Sequence, residues 1–145
     1  MEGLGRLFNV IVEAQAVYVN LEDAQGVTFI GFEDGGNTTF TITTSTAASG
    51  GTELTGDLID HYYHGTGVAG TWALATQTAA ETVEPGDTAA EDCVAIYVSA
   101  AMLPDGHKYV KCTRDEAAAT GATVVAIVHD LTVQRDPANL ASLVV

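Results

Sequence analysis

The sequence predicts an all-β fold: a single β-sandwich or jelly-roll-like domain of about eight strands with flanking N- and C-terminal arms. Three observations predict it. Several segments alternate apolar and polar residues with period two, the spacing of a half-buried strand. Turn residues recur at intervals of roughly 8–12 residues. No βαβ alternation and no repeat of solenoid length is present. The 145 residues suit one domain. With 47% hydrophobic and only 17% charged residues, the chain can bury a core and does not read as disordered. The expected division is an arm over 1–14, a β core over 15–135 and a tail over 136–145.

Ala16 to Leu21 opens the core, with Val17, Val19 and Leu21 alternating against Tyr18 and Asn20. The turn 22–26 leads to Val27–Phe32, apolar on both faces and therefore expected at the centre of a sheet. Asp34-Gly35-Gly36-Asn37 reads as a hairpin turn, since these residues tolerate positive φ. Thr38–Thr44 follows, with Phe40 and Ile42 inward and threonines outward. Residues 46–52 form a small, glycine-rich loop. Leu54–Tyr63 carries both helical and strand spacing, and its β surroundings favour a strand. Gly65–Gly70 is a turn, and Trp72 and Leu74 lie on a strand over 71–76. A short strand around 81–84 ends at Pro85-Gly86-Asp87. Cys93–Ser99 is a strongly apolar strand, and Ala100–Leu103 fits one helical turn before Pro104-Asp105-Gly106. Lys108–Thr113 is the next strand, 115–119 fits a short helical turn, and Ala122–Val133 is the last and longest strand. The expected core is Phe29, Phe40, Ile42, Trp72, Ile96, Val98, Val110, Val125 and Ile127.

The net charge is −14, from 19 acids against 5 bases. Such a chain repels phosphate backbones and anionic membranes, so neither nucleic acid nor a membrane is an expected partner. Solubility, adaptation to high salt and matching to a basic partner surface each account for the acidity. The opening MEGLGRLFNVIVEAQAVYV does not read as a signal peptide, because Glu2, Asn9 and Glu13 interrupt its apolar residues. The longest apolar run, Ala122–Val128, is too short to span a bilayer. Synthesis in a cytoplasm is expected, with Cys93 and Cys112 reduced, although a disulfide is geometrically possible if their two β-like segments are neighbours.

No catalytic, cofactor or metal site is expected. On a strand His61 and His64 fall on opposite faces and cannot share a metal, whereas on a helix they would approach Asp57 and Asp60. His129-Asp130 with Ser99 or Cys93 would make a triad only on paper, for there is no nucleophile motif. Glu22-Asp23, Glu33-Asp34 and Glu91-Asp92 flank turns without EF-hand spacing. Gly65–Gly70 matches GxGxxG, but a strand follows it where a phosphate-binding helix would be needed.

Several segments together resemble small structural proteins of tailed-bacteriophage heads: AVYVNLEDAQGVTFIGF, TTFTITTSTAASGGTEL, HYYHGTGVAGTWALATQTAAETV, CVAIYVSAAMLPDGHKYVKCT and VVAIVHDLTVQR. The resemblance covers about Gly5 to Pro137. It implies a virion component made in the host cytoplasm, a capsid decoration (cement) protein that binds the outer surface of the head and stabilises it. The partner would be the major capsid protein or another virion protein. It also implies a homo-oligomer, with a trimer favoured. Other virion roles in view are tail-tube, head-completion and minor tail protein. A different class, a ligand- or carbohydrate-binding β-sandwich, would need aromatic residues grouped on one exposed face. Tyr62, Tyr63 and Trp72 are the nearest such set. Leu4, Leu7 and Phe8 at one end, and Leu140, Leu143, Val144 and Val145 at the other, are more apolar than free tails should be and are the candidate partner contacts.

Overall fold

The computed structural model describes residues 9–12, 14–32, 38–65, 70–85, 93–115 and 124–131. The candidate contacts Leu4, Leu7, Phe8, Leu140, Leu143, Val144 and Val145 lie outside them. The described residues form eleven strands: β1 (Val10–Ile11), β2 (Val19–Asn20), β3 (Gly26–Phe32), β4 (Thr39–Ser45), β5 (Glu53–Thr55), β6 (Ile59–Gly65), β7 (Trp72–Ala80), β8 (Thr82–Val83), β9 (Cys93–Ser99), β10 (Tyr109–Asp115) and β11 (Val124–His129). One 3-10 turn, Ala100–Met102, is capped by the Ser99 hydroxyl, which accepts from the Ala101 N–H. Gly106, with φ of +80°, turns the chain back toward β10.

The strands make two packed antiparallel sheets, an all-β sandwich. Sheet A has six strands in the order β1-β11-β3-β9-β6-β7. Sheet B runs β2-β10-β4-β5, with β8 also pairing β4. Period-two alternation delivers the core. Val27, Phe29 and Gly31 of β3, Val94, Ile96 and Val98 of β9, and Val124, Ala126 and Val128 of β11 line the inner face of sheet A. Phe40 and Ile42 of β4 and Val110 and Cys112 of β10 meet them from sheet B. Burial pushes the Cys112 thiol up to about 12. Both cysteines are free.

At Gly31 the facing sheet packs directly against bare backbone. A Cβ there would sit 2.2 Å from the Phe40 Cε1 atom, so the Phe40 ring occupies the space that any larger residue at position 31 would need. The missing side chain on one sheet is filled by the largest apolar side chain of the facing sheet.

Five expectations change. β3 and β4 do not pair as a hairpin: β3 lies between β9 and β11, while β4 lies in the other sheet. Both strands need a full apolar inner face, and Phe40 meets Gly31 face to face across the core. Trp72, expected in the core, is 51% exposed, because among the described residues β7 is the edge strand of sheet A. Val125 and Ile127 point away from the core and Val124, Ala126 and Val128 point into it. The run VVAIV is apolar at every position, so alternation could not give its phase. The last strand is also shorter than expected, ending at His129 before Asp130 takes a left-handed φ of +46°. Finally, part of the stretch expected as an arm enters the fold. Val10 and Ile11 pair with Ile127 and Ala126, and Ala14 is fully buried.

The Gly31–Phe40 contact has a measurable signature. Gly31→Ala should destabilise the domain by about 1–3 kcal/mol through overpacking. Phe40→Leu, which shortens the clashing ring, should relieve part of that cost. In a double-mutant cycle by chemical denaturation, the pair should therefore be less destabilised than the two single changes add up to. Strict additivity would show that the ring does not limit position 31.

Candidate functional site

The outer face of sheet A carries the residues that the core does not use. Its register aligns them in rows across the strands. One row is Val125–Ile30–Ala95–Tyr63–Leu74, running over β11, β3, β9, β6 and β7. A second is Phe32–Cys93–Gly65–Trp72. A third is Val10–Ile127–Thr28–Tyr97. Five strands and three rows span about 19 Å by 13 Å. Not one residue in these rows is charged, in a chain of net charge −14. Phe32, Tyr63, Trp72, Leu74 and Tyr97 are each about half exposed. Scattered exposed apolar residues are ordinary, whereas contiguous apolar patches are a common feature of interaction surfaces.

At one end the platform dips into an open groove of about 380 Å³, lined by Thr28, His61, Tyr63, Tyr97, His129 and Asp130 among others. The His129 Nε2 and Thr28 Oγ1 atoms are hydrogen-bonded at 2.7 Å, and the imidazole meets the Tyr97 ring edge to face at 5.8 Å. His61 bonds Asp60 through Nδ1 and holds that carboxyl below its usual range. The groove thus presents two phenols and two imidazoles beside a carboxylate whose backbone is left-handed.

The outer face of sheet B is different in kind. Thr41, Thr43 and Thr113 occupy its middle, and the lysines on and beside it are each paired with a carboxylate. The Lys111 ammonium lies 3.0 Å from Glu53 and 4.6 Å above the centre of the Tyr18 ring, whose hydroxyl also donates to Glu53. Lys108 pairs with Glu22 at 2.9 Å. A face whose polar groups satisfy one another is suited to water.

The residues singled out from the sequence do not assemble into a catalytic centre. His61 lies on the outer face, whereas His64 shares the side of Tyr62, its ring 6.3 Å from that phenol. Ser99 bonds Gln25 and the Ala101 N–H. Cys93 sits at the opposite end of sheet A from His129, about 20 Å away along β3 by strand rise. Among the described residues no group of three His, Cys, Asp or Glu side chains could hold a metal ion. Glu22 is engaged by Lys108, and the Glu33-Asp34 and Glu91-Asp92 pairs and the middle of Gly65–Gly70 lie outside the described residues. Of the aromatic set Tyr62, Tyr63 and Trp72, the structure buries Tyr62, which donates to the Glu84 carbonyl, and leaves the other two exposed. Phe32 and Tyr97 complete the exposed set. Sequence reasoning missed them, although the double apolar character of β3 was the available signal.

The Glu53 cluster gives a pH test. Hydrogen bonds from Tyr18 and Lys111 hold the Glu53 carboxyl below its usual value of 4.5. A depressed carboxylate pKa contributes stability above the unfolded-state value, lost as pH falls through the folded-state value. The melting temperature of the wild type should therefore exceed that of Glu53→Gln at neutral pH. The gap should shrink as pH drops below about 4.5. A gap independent of pH would deny the cluster its charge.

No family model matches the chain, and no curated protein or solved structure is significantly similar to it.

Proposed function

We propose that this protein is a virion structural protein of a tailed bacteriophage, a capsid decoration protein that acts by docking and performs no chemistry. The observation that carries the docking half of this reading is the uncharged apolar platform on the outer face of sheet A. The resemblance of the strand and turn segments to head structural proteins carries the virion half. Both halves are served by one division of labour. Sheet B and the acidic remainder keep the protein soluble, while the platform supplies the dry centre of an interface. Specific interfaces bury about 800 Å² per partner, with an apolar core inside a polar rim. The platform fits such a core, with His61, His129 and Asp130 standing at its rim. A net charge of −14 favours a partner surface that is basic around the contact and speeds encounter with it.

A second reading, saccharide binding, is favoured by one observation: the groove brings Tyr63 and Tyr97 together with His61, His129 and Asp130. Aromatic faces beside groups that exchange hydrogen bonds suit a sugar ring, and the volume lies within the range of small-molecule sites, about 300–1,000 Å³.

Phe32→Lys and Tyr63→Lys test the first reading. Both side chains are about half exposed, so the melting temperature should stay within a few degrees of wild type. Co-sedimentation of each variant with phage heads stripped of the protein should fall at least tenfold. Undiminished binding to the heads would contradict the docking face. Retention on polysaccharide that is abolished by Tyr97→Ala, without any binding to heads, would favour the second reading.

A further inference from the structure

The edges of the two sheets are not alike. β1 and β2, which end sheets A and B, are two residues long, and β5 and β8 on the far side of sheet B have three and two. Very short edge strands are one of the ways in which proteins prevent pairing with other chains. β7, the other end of sheet A, has nine residues and is the longest strand described. From Gly70 to Ala80 the sequence GTWALATQTAA has neither a charge nor a proline. The usual defences of an edge, inward charges and proline, are missing here.

Part of β7 is closed. The register with β6 shifts between Ile59 and His61, so that β7 carries extra residues after Thr76. Gln77 fills this irregularity, its Nε2 donating at 2.9 Å to the carbonyls of Ile59 and Thr82. The stretch Trp72–Thr76 keeps regular pairing to β6 on one side, and among the described residues nothing bonds its other side. In an antiparallel edge strand alternate residues turn their N–H and C=O groups outward. Trp72 and Leu74, both about half exposed, flank these groups on the outer face, and on the other face Ala73 and Ala75, the latter packed against the core, are too small to overhang the edge.

We propose that the β7 edge pairs with the β7 edge of a second copy of this chain. The pairing is antiparallel about a two-fold axis and joins the two A sheets into one of twelve strands. Charge decides the occupant. Two copies of net charge −14 repel each other, so they can meet closely only where the surface bears no carboxylate, and Gly70–Ala80 is such a place. A basic partner would gain nothing from an edge without acids. An isologous contact is self-complementary, and antiparallel pairing of one uncharged strand with itself meets that condition. The row ending in Leu74 then continues into its symmetry mate, so that the platforms of the two copies form a single surface. This inference rests on the edge of sheet A and not on what its face binds.

Sedimentation equilibrium of the full chain over a concentration series, in about 0.15 M salt to shorten the reach of charge repulsion, tests the pairing. The expected result is a reversible dimer whose dissociation constant rises at least tenfold in Leu74→Glu, which sets like charges against each other across the axis. Thr55→Glu, on the β5 edge, should leave the dimer unchanged. Amide hydrogen exchange on the wild type keeps the test independent of any effect of the variant on folding. Alternate amides of Trp72–Thr76 should slow as concentration rises. A monomer at all concentrations, a trimer, or a dimer in which those amides remain fast would overturn the proposal.

Discussion

The Phe40 ring of sheet B rests where Gly31 of sheet A has no side chain, and a side chain at position 31 would have to push the ring or the sheets apart. The rest of the sandwich follows from that contact. With Phe40 held there, β3 and β4 face each other and cannot pair side by side, although they are neighbours in sequence. β3 takes β9 and β11 as neighbours, and β4 takes β10 and β5. The chain must therefore cross between the sheets after β3. The buried Val27, Phe29, Val94, Ile96, Val98 and Val110 close around the same layer. Large fully buried side chains each contribute roughly 1.5–3 kcal/mol before conformational entropy is subtracted.

Once the inner faces are used, the sandwich is left with two outer faces of opposite character. Sheet B turns outward threonines and ion pairs that neutralise one another, Lys111 with Glu53 and Lys108 with Glu22. Such exposed pairs, screened by water and salt, add little stability. Their effect is to make the surface wettable. Sheet A turns outward Ile30, Phe32, Tyr63, Trp72, Leu74 and Tyr97 with no charge among them. A sheet whose strands are apolar on both faces is normally covered on both. Here one cover is sheet B, and the other is sought in a partner. The proposed docking role rests on this asymmetry more than on any single residue.

Strand positions were legible in the sequence wherever apolar and polar residues alternate, as in TTFTITT, or where an apolar run is bounded by turn residues, as in CVAIYVS. Both give strands within a residue or so of those observed. Phase was legible only where alternation was strict. Phe40 and Ile42 are buried as expected, while VVAIV offered no polar residue to mark the outside, and Val125 and Ile127 fell on the wrong face. Alternation over 71–76 places Trp72 inward, but alternation does not show whether a strand is central or at an edge. Strand order is a property of pairings distant in sequence, and no local pattern shows that β7 ends the sheet or that 33–37 joins two sheets. The candidate docking face was hidden for the same reason. Its rows assemble from five strands, and only β3, apolar on both sides, announced it.

Oxidative footprinting of the tyrosine and tryptophan side chains measures most directly whether the outer face of sheet A is a covered surface. The isolated protein and the protein mixed with the phage heads of the proposed role would be labelled by hydroxyl radicals and compared residue by residue. The account predicts strong protection of Tyr63, Trp72 and Tyr97 on assembly, with Tyr109 on the outer face of sheet B labelled alike in both states. Equal labelling of Tyr63, Trp72 and Tyr97 in the two states would contradict it.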